Sequence, residues 1–271
     1  MDLASLDSGQ LDLKALDSGG LDSALARDHS ASSTRATSEF FAHLEQNLAR
    51  EQEIAPFDLL GRSLSYNPYP PRFKEMFPSL DSTSVNMPAV MVRGFGFEAL
   101  EGIVAKQPAL IVLDLARDEL ARPSGEGLEC VGYLRHYTNA LIVLRDYFIN
   151  PYQMLQALVY GADAIMLNHL PKNAKALLDF AFRLNLMSFT LIESSKDIKR
   201  AIMARSDGLA VVESIYDEVA TLIPRQKCLA KLVLESRGAD SSALDSGALD
   251  SAMPGSKSRS SRVPDFTCVS M

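Results

Sequence analysis

Polar residues stand directly after a series of apolar runs in this 271-residue chain, and their types suit acid–base and anion-binding chemistry. Asp114 follows ALIVL at 109–113, and Arg145 and Asp146 follow the same five letters at 140–144. Asn168 and His169 follow AIML at 164–167, and Glu193 follows FTLI at 189–192. Glu213 follows LAVV at 209–212, and Glu235 and Ser236 follow KLVL at 231–234. A glutamate in such a place can take up a proton from a reacting group. An arginine holds phosphate or carboxylate through its planar fork of N–H donors, and it keeps its own proton. Loops are polar in any protein, so one such residue says little. Six consecutive units ending this way point to a shared mouth.

Weaker candidates lie nearby. His169 could serve in catalysis, although a loop histidine is ordinarily just solvated. Cys130, inside a predicted helix, reads as a small core residue. GFGFEALEG at 94–102 places glycines after a strand, but it lacks both the GxGxxG spacing and a phosphate-loop lysine. No spacing of His, Cys and carboxylates suggests a metal.

The frame that positions these residues is read from periodicity. AVMV at 89–92 and the six runs above are short and near-continuously apolar, which suits strands buried on both faces. Helical stretches alternate with them, which makes the chain α/β. One helix starts at Asn150 as N-cap and Pro151 as first residue, carries Met154, Leu155, Leu158 and Val159 on one face, and closes at Gly161. Another, SSKDIKRAIMAR, opens on capping serines with Asp197 in its first turn. In a closed βα barrel the polar residues would meet at one mouth. In an open doubly wound sheet they would line the carboxyl ends of the strands. The pattern leaves both open.

The rest of the chain divides by composition. Residues 1–37 repeat LDSG-like units and then turn Ser/Thr-rich, and LDSGALDS returns at 244–251 inside a tail from 239 to 271. Such sequence buries too little apolar surface to offset chain entropy, so both ends are expected to be disordered or weakly helical. Residues 38–87 hold an amphipathic helix, SEFFAHLEQNLAREQ at 38–52, and a Pro- and Tyr-rich cover, SLSYNPYPPRF at 63–73. The βα units occupy 88–238. A net charge of -7 argues against a nucleic-acid or anionic-membrane binder. No apolar run approaches the roughly 18–20 residues that span a bilayer. Three distant cysteines suit a reducing compartment, and the N-terminus carries no signal or transit pattern, so a cytoplasmic location is expected.

LRDYFINPYQMLQALVYGADAIML at 144–167 resembles a segment of the indole-3-glycerol phosphate synthase family. LIESSKDIKRA at 191–201, IPRQKCLAKLVLESRG at 223–238 and ALIVLDLARDEL at 109–120 are similar to further pieces of that family. The resemblance implies a (βα)8 TIM-type barrel without a cofactor. It implies an enzyme of tryptophan biosynthesis, acting on a small phosphorylated substrate, with other enzymes of that pathway as possible partners. The reaction would close the ring of a carboxyphenylamino-deoxyribulose phosphate with loss of carbon dioxide and water. Residue by residue, the general base falls on Glu193 and a Glu-Ser pair on Glu235 and Ser236. The family's first-strand Glu-x-Lys pair falls on Met91 and Arg93, its general-acid lysine falls on Arg145 or is deleted beside it, and its sixth-strand asparagine falls on Val212 beside Glu213. The resemblance thus gives Glu193, Arg145 and Glu235 catalytic places, and Arg93, Ser236 and Glu213 substrate-binding ones.

Two expectations remain beside it. Arginine for lysine, and methionine for a rim carboxylate, fit a homologue that keeps the scaffold as a binding or interaction module. A signalling receiver with Asp114 as phosphoacceptor is the least favoured, since its acidic pair would fall on RGFGF and the units continue to 236. Only seven strands are recognisable, and a segment near residues 58–60 is the alternative source of an eighth.

Overall fold

The computed structural model describes residues 31–72, 87–93, 97–116, 126–233 and 264–270. The LDSG units, Glu235 and Ser236 lie outside these. Eight parallel strands close in chain order into one barrel, β1 to β8. They are β1 (Met87–Val92), β2 (Leu110–Asp114), β3 (Leu141–Asp146), β4 (Ala164–Leu167), β5 (Met187–Ile192), β6 (Gly208–Val212), β7 (Cys228–Val233) and β8 (Phe266–Ser270). The fold is the TIM-type barrel that the resemblance implies, which removes the open-sheet alternative and with it the receiver.

The seven-strand reading needs correction. The eighth strand comes from FTCVS, within the segment read as tail, and it pairs with β7 on one side and β1 on the other. Residues 58–60 instead belong to α2 (Phe57–Ser63). The strand escapes the apolar-run test because Thr267 and Ser270 interrupt it. Phe266 and Cys268 are buried, whereas Val269 is exposed.

Helices α3 (Phe97–Lys106), α4 (Glu126–Tyr137), α5 (Pro151–Val159), α6 (Ala174–Arg183), α7 (Ser195–Met203) and the short α8 (Tyr216–Val219) separate the strands. One apolar core fills the space between strands and helices, and a second fills the lumen. In the lumen Phe189 and Phe266 meet edge to face at 5.6 Å. Room for them comes from small neighbours: a Cβ on Gly208 would stand 2.4 Å from the Phe189 ring.

The Pro- and Tyr-rich segment is anchored at the N-terminal side of the barrel. Asp163, wholly buried before β4, accepts from Arg135 Nη1 at 2.6 Å, the Arg72 amide at 2.8 Å and the Ile142 amide at 2.9 Å. Arg135 also donates to the Pro70 carbonyl at 2.6 Å, and Arg72 to the Ala140 carbonyl. A buried carboxylate is stable only when paired and hydrogen-bonded, and this one holds residues 70–72 against β3 and β4.

At the opposite side, α1 (Ala31–Ile54) lies on α5 and on the loop after β3. The NPYQ sequence is built for this junction. Asn150 Oδ1 accepts from the Tyr152 amide at 2.9 Å, and Gln153 Oε1 accepts from the Asn150 amide at 3.1 Å, which together cap α5. Tyr152 then donates its hydroxyl hydrogen to the Ala55 carbonyl at 3.0 Å. Phe41, Leu44 and Leu48 of α1 pack with Tyr152. Gly161, at φ 98°, ends α5 in a conformation that side chains resist.

Candidate active-site mouth

Side chains alternate across a strand, so every second residue of each strand faces the lumen. The lumen core fixes that phase: Ala89 and Met91 on β1, Leu110 and Val112 on β2, Leu141 and Val143 on β3, Ala164 and Met166 on β4, Phe189 and Leu191 on β5. Two residues further along each strand come Arg93, Asp114, Arg145, Asn168 and Glu193. The same phase, continued past the strand ends, places polar residues at the C-terminal ends of five adjacent strands. Asp146, His169 and Glu213 fall in the opposite phase.

Four of the five are in contact. Arg145 and Asp114 are direct register partners across β3 and β2, and Arg145 Nη1 donates to Asp114 Oδ2 at 2.8 Å. Arg93 Nε approaches the same oxygen at 3.4 Å. The other oxygen, Oδ1, accepts from the Ala116 amide at 3.1 Å, so both ends of the carboxylate are anchored. On the far side, Asn168 Oδ1 accepts from Arg145 Nε at 3.0 Å and Nη2 at 2.5 Å. Arg145 and Asp114 are each 6% exposed, whereas Arg93 is half-buried toward the opening.

The floor of the mouth is buried. Burial pushes the Asp114 carboxyl above its ordinary range, with Arg145, the Ala116 amide and Arg93 pulling it back down. Burial also pushes the Cys268 thiol, on β8 beneath the cluster, up to about 12. In such surroundings charges act more strongly on one another than in water. The two guanidiniums and the Asp114 carboxylate together carry one positive charge, which suits an anionic ligand. The Arg145 donors, however, are largely engaged already.

Glu193 is exposed, one residue beyond β5. Glu213 turns to the outside of the barrel, where its Oε1 meets Lys231 Nζ at 2.9 Å, and Lys231 also lies over the Tyr216 ring at 5.5 Å. The lumen-facing position at the end of β6 is Val212. His169, expected to be solvated, instead packs between Phe41 and Tyr147 at ring distances of 4.9 and 5.6 Å. Among the described residues neither of its nitrogens has a hydrogen-bond partner. Burial first, then Arg200, lowers its pKa to about 4.

Sequence reading gave Arg145 and Arg93 their places at the mouth, but did not assign Asp114 or Asn168 as their partners. The available signal was the buried arginine itself, since a charge in that position requires a partner. Among the described residues there is no group of His, Cys, Asp and Glu that could hold a metal, and no helix long and apolar enough to cross a membrane.

Comparison with known proteins agrees with the resemblance seen in the sequence. The indole-3-glycerol phosphate synthase of Campylobacter hominis is 28% identical over 224 residues, 73% of this chain and 85% of that one. That of Campylobacter curvus is 26% identical over 215 residues, 70% and 81% of the two chains. That of Sulfurimonas denitrificans is 29% identical over 180 residues, 62% and 67% of the two. No family model matches the chain. Among solved structures, a mutant tryptophan synthase alpha-subunit of Pyrococcus furiosus superposes over 54% of this chain and 77% of its own, at a TM-score of 0.44 and 16% identity.

Proposed function

We propose that the chain is a divergent indole-3-glycerol phosphate synthase, a carboxy-lyase of tryptophan biosynthesis. Its substrate is a carboxyphenylamino-deoxyribulose phosphate, whose ring it closes with loss of carbon dioxide and water. The observation that carries this reading is the row of lumen-phased polar residues, Arg93, Asp114, Arg145, Asn168 and Glu193, at the mouth of a barrel similar in sequence to that enzyme. Glu193 acts as general base. Arg145 and Arg93 hold the substrate's carboxylate and hydroxyls, Glu235 stabilises developing positive charge, and Ser236 binds substrate. Arginine in place of the lysine acid makes Arg145 an electrostatic aid to the reaction, and a slow enzyme is expected. Purified protein incubated with the synthetic substrate should develop indole fluorescence, and Glu193→Gln should lower the rate by about 10²–10⁴-fold. Absence of turnover at high protein concentration refutes the lyase.

One observation favours a second reading, in which the mouth binds the ligand without converting it. Arg145 is held on both sides, by Asp114 and by Asn168. A guanidinium so fixed suits recognition better than proton transfer. This reading expects substrate binding by calorimetry without product, with Glu193→Gln leaving the affinity unchanged.

A further inference from the structure

We propose that Asp114 is a positioning residue for the mouth: from β2 it supplies the carboxylate that fixes Arg145 and Arg93, a task that falls to no residue of β1 in this chain. The lumen position on β1 closest to Arg145 is Met91, wholly buried, with its Sδ 4.0 Å from Arg145 Nη1. A thioether is a weak acceptor and offers a buried guanidinium little. The neighbouring strand provides the charge instead. Because Asp114 and Arg145 are register partners, backbone pairing itself sets their separation. The Ala116 amide fixes one carboxylate oxygen and leaves Oδ2 to serve Arg145 and Arg93 together. Asn168 completes the hold by taking the Nε edge. The guanidinium plane is thus set by groups on β2 and β4, on either side of the strand that carries it. Arg93, sharing Oδ2 but nearer the opening, is linked to the same setting.

The geometry makes the exchange between strands testable. Glutamate and methionine have similar lengths, so a carboxylate at position 91 would stand about where Sδ now does. Removing the charge with Asp114→Asn should free the Nη1 side of Arg145, and adding Met91→Glu should restore it from β1. The Arg145 Nε–H resonance reads this directly. It belongs to a buried donor on Asn168, and its loss in Arg145→Lys identifies it. In wild type it should exchange slowly. In Asp114→Asn it should shift or broaden, and in the Met91→Glu/Asp114→Asn pair it should return.

As a deepening of the lyase reading, the proposal rests on that reading for its kinetic arm alone. There, kcat/KM should fall about 10–100-fold in Asp114→Asn, mostly through kcat, and recover in the double variant. An Arg145 resonance unchanged in Asp114→Asn, or a double variant that recovers neither signal nor rate, overturns the proposal. If Asp114→Asn does not fold, the double variant decides: folded with the wild-type resonance it supports the assignment, and unfolded or without that resonance it refutes it. A wild-type protein that turns over no substrate ends the lyase reading, while the resonances still judge Asp114.

Discussion

The histidine at the α1 junction makes the stability of the fold depend on pH in a direction that can be worked out. His169 sits between Phe41 and Tyr147, and burial together with Arg200 lowers its pKa from 6.5 to about 4. In the unfolded chain it takes a proton near the ordinary value. Between the two values the unfolded state binds a proton that the folded state refuses, so stability present above pH 6.5 is lost as pH falls toward 4. One unit corresponds to about 1.4 kcal/mol, which gives a full loss of about 3 kcal/mol below pH 4 and about 2 kcal/mol by pH 5. Asp114 works the other way, since a carboxyl raised by burial gains folded-state protonation as pH falls. A comparison with His169→Phe cancels that contribution. Phenylalanine keeps a ring in the stack and leaves no buried nitrogen without a partner. Urea unfolding at pH 8 and pH 5, followed by circular dichroism, should show wild type losing about 2 kcal/mol more than the variant. Equal losses in the two proteins would show that His169 does not govern the acid response.

Two further perturbations test the barrel that carries the site. Asp163→Ala should cost about 3–5 kcal/mol by leaving Arg135 and Arg72 facing one another without their carboxylate, and the denaturation midpoint should fall accordingly. Gly208→Ala should cost about 1–3 kcal/mol in the same measurement, because the added methyl meets Phe189 in the lumen and cannot relax toward the Cys228 carbonyl at 3.1 Å.

How far the sequence could be read depended on whether the deciding interaction is local. Seven strands hold near-continuous apolar runs, because most of their residues are buried on both faces, and such runs are visible in one dimension even where Lys231 interrupts β7. β8 is a strand by virtue of its partners: FTCVS is too short and mixed to read as an apolar run, with Phe266 and Cys268 buried and Thr267 and Val269 on its outer side. The site divides in the same way. Period-two phase, applied from each run, selects Arg93, Asp114, Arg145, Asn168 and Glu193 and places Glu213 outside with Lys231. The bond between Arg145 and Asp114 depends on the register of β2 against β3, which no spacing along the chain states. His169 obeys the phase, falling outside the lumen, but its burial was not legible, since its cover comes from Phe41, more than a hundred residues away.

The origin of β8 also bears on how the protein is made. Strand β1, at residues 87–92, pairs with residues 266–270, so the seam is joined only after almost all the strands have been synthesised. Loop length alone adds little thermodynamic cost, because closure entropy grows with its logarithm. Timing is the harder constraint. At about 5–20 residues per second, the span from β7 to β8 keeps a nascent sheet open for a few seconds. Throughout that interval β1 and β7 each expose an unpaired row of N–H and C=O groups, the template on which a second nascent chain can add. β8, the final one of the described strands, therefore guards against aggregation as well as completing the barrel.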